Sequence, residues 1–287
     1  MSHFIYFNGA FLPSGEAILS ADNPGFRYGD GLFETMRAMN GRLILGDLHF
    51  ERLLAGLRLL QFIPTPSLTA EKFSVAIREL CEKNGHSGYA RVRLVVFRGD
   101  EEGRPETIIQ SAPLEAWGNP EEAPQQGQGE GLVIDLFPGG RKSCDVFSHL
   151  KSNNYLLYSM AARYARQEGL GDCLVLNSNG RVADSSISNV FYCRDGRIYT
   201  PPLSEGCVAG VMRRFVISLA IGAGLPVEEK ETTPEDLEEA EEVFLTNAIR
   251  GIRPVGRFRR TVYPGGEMTL ALHRLLRETL MEQAPKI

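Results

Sequence analysis

The sequence has little of what would commit it to a membrane, a metal or a polyanion. No run approaches the roughly 20 consecutive apolar residues that a membrane-spanning helix needs. The opening Met-Ser-His-Phe-Ile-Tyr-Phe-Asn-Gly has no basic stretch leading into an apolar one, so a cytoplasmic protein is expected. The five cysteines, Cys81, Cys144, Cys173, Cys193 and Cys207, are odd in number and show no Cys-x-x-Cys spacing. That suits free thiols in a reducing compartment, with neither disulfides nor a structural zinc. A net charge of −5 gives no general attraction to nucleic acid or anionic lipid, so an anionic ligand must be held by a local cluster. Lysine is scarce as well, at six residues.

What is present is enough for a substantial core: 287 residues, 43% of them hydrophobic, point to two domains or one large one. Asn8-Gly9 and Asn40-Gly41 sit between apolar or β-branched runs as hairpin turns do, pairing 32–38 with 42–45. Asp47 is placed to cap a helix through about Leu60, and 67–84 suggests a second helix. Residues 89–98 alternate, with Tyr89, Arg91 and Arg93 on one strand face and Ala90, Val92 and Leu94 on the other. The stretch 117–131, rich in Pro, Gly and Gln, reads as a linker between a small α+β domain (1–116) and a larger one (132–287). Beyond it the pattern predicts a strand at 132–137 and a helix from Tyr155 to Glu168. Antiparallel hairpins follow at Asn179-Gly180 and Asp195-Gly196, then a helix from Gly210, a strand at 243–246 and a closing helix at 267–282. The class is α+β.

Of the lysines, Lys72, Lys83, Lys230 and Lys286 lie in charged, helical or terminal contexts that read as solvated surface, and Lys142 follows Arg141 in a Gly-rich loop. Lys151, in Ser-His-Leu-Lys-Ser-Asn-Asn-Tyr-Leu, has an apolar neighbour and precedes an apolar helix, as an amine kept unprotonated often enough to form an imine would. Spacing alone leaves open the plain reading of a lysine near a helix start. Downstream, Gly210-Val-Met-Arg can open a helix whose first amides face an anion. His49 with Arg52 makes no metal motif, because no second histidine stands at i+4.

Lys-Ser-x-Asn-Tyr-Leu, followed by a strand, a turn and Ser186-Ile-Ser-Asn-Val-Phe191, resembles the class IV, or fold-type IV, pyridoxal phosphate enzymes. These comprise branched-chain aminotransferases, D-amino acid aminotransferases and aminodeoxychorismate lyases. The resemblance runs from Tyr28-Gly-Asp-Gly-Leu-Phe-Glu to Thr246-Asn-Ala-Ile. It implies a two-domain homodimer with an active site between the domains and near the dimer interface, and pyridoxal 5′-phosphate carried covalently by Lys151. Tyr155 stands where a tyrosine commonly reaches the cofactor's phenolate oxygen. Asp184 stands where the family usually places a glutamate against the pyridine nitrogen, five residues before Asn189 of the Ser188-Asn189 pair, and it is one methylene shorter. The phosphate falls to the amides of Val211 and Met212, to Arg52, and to the loop of Asn247 and Ala248. Many relatives carry Thr in place of Met212, so a hydroxyl contact is lost.

On the substrate side Tyr28, Phe33 and Arg37 lie in a Tyr-Gly-x-x-x-Phe-Glu-x-x-Arg pattern seen near the family's substrate pocket, and Arg27 beside Tyr28, with Arg91 and Arg93 on one strand face, adds a set of cations. So many cations call for an anion among them, and Arg27 and Arg91 are expected to grip a donor's α-carboxylate. The expected activity is a ping-pong aminotransferase acting on amino acids, D-amino acids included, and 2-oxo acids. Aminodeoxychorismate lyase and a catalytically weak cofactor-binding relative are the alternatives. Neither nucleic acid nor membrane is an expected partner.

Overall fold

A computed structural model describes residues 3–100, 104–115 and 131–282, and their arrangement follows first from two Asn-Gly turns. Strands β1 (Phe4–Phe7) and β2 (Ala10–Pro13) meet at Asn8 and Gly9, both with positive φ, 46° and 102°. That is the backbone a two-residue turn between right-twisted strands requires. Helix α1 (Pro24–Tyr28) is capped by Asn23, whose side chain accepts the Phe26 N–H at 3.1 Å. Strand β3 (Gly31–Met39) turns at Asn40-Gly41 into the short β4 (Arg42–Leu43), closing at 38–39 with 42–43.

Helices α2 (Gly46–Leu59) and α3 (Ala70–Lys83) then precede β5 (Tyr89–Arg98) and β6 (Pro105–Pro113). The six strands form one antiparallel sheet in the order β2-β1-β6-β5-β3-β4. Asp47 does not cap α2. The capping position is Leu45, in the left-handed region at φ 54°, and Asp47 lies in the first turn, where its charge still suits the helix dipole. Phe50, Leu53 and Leu57 of α2 and Phe73, Ile77 and Leu80 of α3 pack with Leu32, Met36, Val92 and Leu94 of the sheet in one core. Alternation along β5 therefore leaves Arg91 and Arg93 on its other face, Arg91 exposed and Arg93 half-buried.

The described residues of 1–117 form one compact unit with Leu150–Tyr155 and the described residues from Leu280 on. Lys151, expected on the larger domain, groups here because its segment hydrogen-bonds to β3. The Phe33 N–H donates to the Lys151 carbonyl at 3.0 Å and the Asn153 N–H to that of Gly31 at 2.9 Å. Gly31 admits no side chain: a Cβ would lie 2.6 Å from the Val96 carbonyl oxygen and 2.7 Å from Asn153 Nδ2.

The second unit takes in Leu156–Thr279 with the described residues of 118–149. Residues 117–130 of the expected linker lie outside the described residues. The unit begins with β7 (Leu132–Leu136), α4 (Leu156–Gln167), β8 (Asp172–Leu176), β9 (Val182–Ser185), β10 (Asn189–Arg194), β11 (Arg197–Thr200) and a short 3-10 turn (Leu203–Glu205). It continues with α5 (Val211–Gly222), β12 (Val227–Glu229), α6 (Pro234–Glu238), β13 (Glu242–Asn247), β14 (Gly251–Phe258), β15 (Thr261–Val262) and α7 (Glu267–Glu282). The strands run β12-β11-β10-β13-β14-β7-β8-β9, with β15 on β14.

The hairpins expected at Asn179-Gly180 and Asp195-Gly196 are present as β8–β9 and β10–β11. However, β7 is parallel to both β8 and β14, and β11 to β12. Ile134, Leu174, Val190, Tyr192, Leu245 and Phe258 belong to the core of this unit. All five cysteines are free thiols, and no helix among the described residues is long and apolar enough to cross a membrane.

Candidate active site

Lys151 is half-buried on an aromatic pair. Its Nζ lies 4.4 Å from the Phe33 ring centroid and 5.5 Å from that of Tyr155, and the two rings meet edge to face at 5.3 Å. The Arg93 guanidinium carbon sits 4.2 Å from the same Phe33 centroid. Two cationic side chains thus share one buried ring. Burial first, and then Arg91, lowers the Arg93 pKa from its ordinary value.

The face of β3 turned toward α2 carries Glu34 between Leu32 and Met36, and only 1% of Glu34 is exposed. Arg52 Nε donates to its Oε1 at 2.8 Å and Nη2 to Oε2, while His49 Nδ1 bonds Oε2 at 2.6 Å. Burial alone would push the Glu34 carboxyl up. Arg52 and His49 outweigh it and bring it down from 4.5 to about 2. Burial, reinforced by the cations of Arg52 and Lys151, keeps His49 below its ordinary value against the pull of Glu34. Since an ionised carboxylate can only accept, His49 Nδ1 is the donor in this bond. The guanidinium of Arg52 is thereby held bidentately through its Nε–Nη2 edge.

In the second unit Asp184, on β9, is 2% exposed. Its Oδ2 accepts the Tyr158 hydroxyl at 2.8 Å and the Val208 N–H at 2.9 Å, and Lys142 Nζ is 3.7 Å away. Lys142 Nζ itself donates to the Tyr158 oxygen. The peptide after Val208 is fixed too, since its carbonyl accepts Asn189 Nδ2 at 2.8 Å. This leads into α5 through Gly210, which caps the helix without any side-chain bond. A Cβ on Gly210 would lie 1.9 Å from Asn189 Oδ1.

The N–H groups of Val211 and Met212 open the helix, where amides have no intrahelical partner and dipole and donors favour an anion. Ser188 Oγ accepts Asn247 Nδ2 at 3.0 Å, and Asn247 Oδ1 accepts the N–H groups of Ile249 (3.0 Å) and Arg250 (2.8 Å). Asn247 thus shapes the loop that presents Ala248. Next to it Thr246 Oγ1 is buried with no hydrogen-bond partner among the described residues.

Taken unit by unit, the residues fit pyridoxal phosphate by their chemistry: the first unit carries an amine on an aromatic surface and a guanidinium held by a carboxylate, and the second a buried carboxylate with fixed donors and a helix start without a side-chain cap. The expected substrate residues are dispersed. Phe33 and Arg93 lie beside Lys151. Arg27, on α1, is half-exposed 3.4 Å from the exposed Asp22 and 5.3 Å from the ring of the exposed Tyr28. Arg91 is exposed. Arg37, at the far end of β3, is buried and donates to the Glu115 carbonyl at 3.0 Å.

The burial of Lys142 against Tyr158 and the orienting roles of Glu34 and His49 are not among the sequence expectations. The spacing of Glu34 in Phe-Glu-x-x-Arg and of His49 three residues before Arg52 was the only local signal, and Lys142 left none.

Residues 31–258 match the family described as Amino-transferase class IV. Aminodeoxychorismate lyase of Bacillus subtilis is 33% identical over 96% of this chain and 94% of its own. A putative branched-chain-amino-acid aminotransferase of Methanocaldococcus jannaschii is 30% identical over 88% and 86%. The solved branched-chain aminotransferase of Thermoproteus uzoniensis with norvaline superposes with a TM-score of 0.84 at 28% identity, covering 99% of this chain and 96% of that one.

Proposed function

Because the chain belongs to the class IV aminotransferases, a pyridoxal phosphate-dependent family of the fold-type IV architecture, we propose that it transfers an amino group from an amino acid to a 2-oxo acid through Lys151. The observation that carries this is the Lys151 amine on the Phe33–Tyr155 pair with Arg93 on the same ring. When bound, the cofactor supplies an electron sink for charge released at the substrate α-carbon.

The rest of the chemistry belongs to side chains. The Lys151 amine removes and returns the α-proton. Arg93 binds the substrate carboxylate, for which its forked guanidinium is suited. Asp184 keeps a proton on the ring nitrogen, and Tyr155 serves the phenolate oxygen. Arg52, oriented by Glu34, and the amides of Val211, Met212 and Ala248 bind the phosphate. A homodimer is part of the same reading.

A second reading, the lyase that releases pyruvate from aminodeoxychorismate, is favoured by the 33% identity to the Bacillus subtilis enzyme. Mixing holoenzyme with single D- and L-amino acids and following the cofactor's visible absorbance separates the two. Conversion by any donor supports the transferase, and its configuration assigns the series. No conversion, with pyruvate released from aminodeoxychorismate, replaces it by the lyase. Lys151→Ala is expected to lose both the absorbance of covalently held cofactor and turnover. Wild-type turnover in that variant would remove Lys151 from the mechanism.

A further inference from the structure

Lys142 is one of six lysines in the chain, yet it is only 8% exposed. Taking an ammonium out of water costs several kcal/mol unless a partner compensates. The loop that bears it is fixed to the end of β8, with the Lys142 N–H donating to the Leu176 carbonyl and the Ser178 N–H to that of Lys142, both at 2.9 Å. From there its Nζ reaches Tyr158, whose hydroxyl passes the contact on to Asp184 Oδ2 at 2.8 Å, and Nζ itself stands 3.7 Å from that oxygen. Nζ also lies 4.7 Å from the centroid of the Tyr158 ring. With the Val208 N–H at 2.9 Å, a cation, a hydroxyl and an amide converge on one carboxylate oxygen.

We propose that Lys142 and Tyr158 are positioning residues that fix Asp184 and bias the proton it shares toward the cofactor's ring nitrogen. This rests on the reading of Asp184 as the ring-nitrogen partner. The proton has two places, on the ring opposite an ionised carboxylate or on the carboxyl opposite a neutral ring. The first places a negative end next to Lys142 and the positive end beyond it, so the ammonium stabilises that arrangement. Tyr158 sets the direction of the short aspartate side chain, which reaches one methylene less than a glutamate.

The test is the nitrogen-15 NMR shift of the ring in holoenzyme loaded with ring-labelled pyridoxal phosphate, recorded with kcat and KM. Lys142→Met is expected to move the resonance toward the unprotonated position, lower kcat by about tenfold for each pK unit lost and leave the donor KM within about twofold. Lys142→Arg restores most of the shift. Tyr158→Phe moves the resonance in the same direction by less, and it decides the matter if Lys142→Met does not fold. Asp184→Asn separates the two layers of argument. If it moves the resonance while neither Lys142→Met nor Tyr158→Phe does, the positioning role is overturned and the Asp184 assignment stands. If Asp184→Asn leaves the resonance at the wild-type position, the assignment falls and the proposal with it.

Discussion

At the scale of single residues, the arginines separate by burial. Arg27 and Arg91, expected from the sequence to grip a carboxylate, are exposed in the single chain, and exposed charges contribute little to binding or stability. Arg93, half-buried, lies on the Phe33 ring beside Lys151, so an incoming carboxylate meets a cation that is already partly desolvated. Arg93→Gln is expected to raise the donor KM by about tenfold to a hundredfold, the worth of a charge-assisted hydrogen bond. Arg27→Gln and Arg91→Gln should each change it less than about twofold. Steady-state kinetics on the three variants checks this, and the reverse ranking would move the carboxylate site to α1 or the outer rim of β5. Alternation along β5 was legible in the sequence, but which of its outward arginines lost water was not, because that depends on Phe33 from another strand. The same holds for Lys142, whose burial is set by Tyr158 and Asp184, 16 and 42 residues away in the chain.

At the scale of elements, turns with a local signature were legible and pairings between distant strands were not. Asn8-Gly9 and Asn40-Gly41 carry their own backbone preference. Parallel β7, by contrast, is placed by β8 and β14, and β14 hides behind Pro254, a residue that argues against a strand in a sequence. The start of α5 shows what an element terminus needs. Gly210 has φ −63° and ψ 132°, a backbone open to any residue, so its glycine answers close approach, above all that of Asn189, with Arg213 Cβ at 3.3 Å beside it. Gly210→Ala should push the Asn189 amide off the Val208 carbonyl and displace the first turn of α5. The cofactor dissociation constant is expected to rise about tenfold, the cost of roughly one hydrogen bond to a charged group. Gly222→Ala, at the other end of the helix with nothing within 4 Å of the new Cβ, should leave cofactor affinity unchanged and add roughly 0.5 kcal/mol of stability. Titration of apo-protein with pyridoxal phosphate and thermal melts report both, and equal affinity in the two variants would sever the α5 start from phosphate binding.

For the whole molecule, buried titratable groups predict how it yields to acid. Burial is the first reason that His49, His86 and His273 sit below the ordinary 6.5. The unfolded chain therefore takes up these protons before the folded one does, so their contribution is complete above 6.5 and declines as pH drops below it. Glu205, lowered chiefly by its bonds with Arg181, and Glu34, lowered against its own burial, follow at lower pH. The Glu34 contribution is present above 4.5 and disappears as pH falls toward about 2. Asp172 acts with the opposite sign. Its burial raises the carboxyl despite the Ser185 and Ser186 hydroxyls, so acid relieves a cost there. The urea midpoint of the wild-type protein should decline in two stages, below 6.5 and again between 4.5 and about 2. Glu34→Gln removes the Glu34 charge from Arg52 and should cost about 3 kcal/mol at neutral pH. Because that difference exists only while Glu34 is ionised, the stability gap between variant and wild type should narrow through the second stage. A gap that stayed constant down to the folded-state value would mean that Glu34 is already protonated in the native protein, and the Arg52 orientation would then need another source.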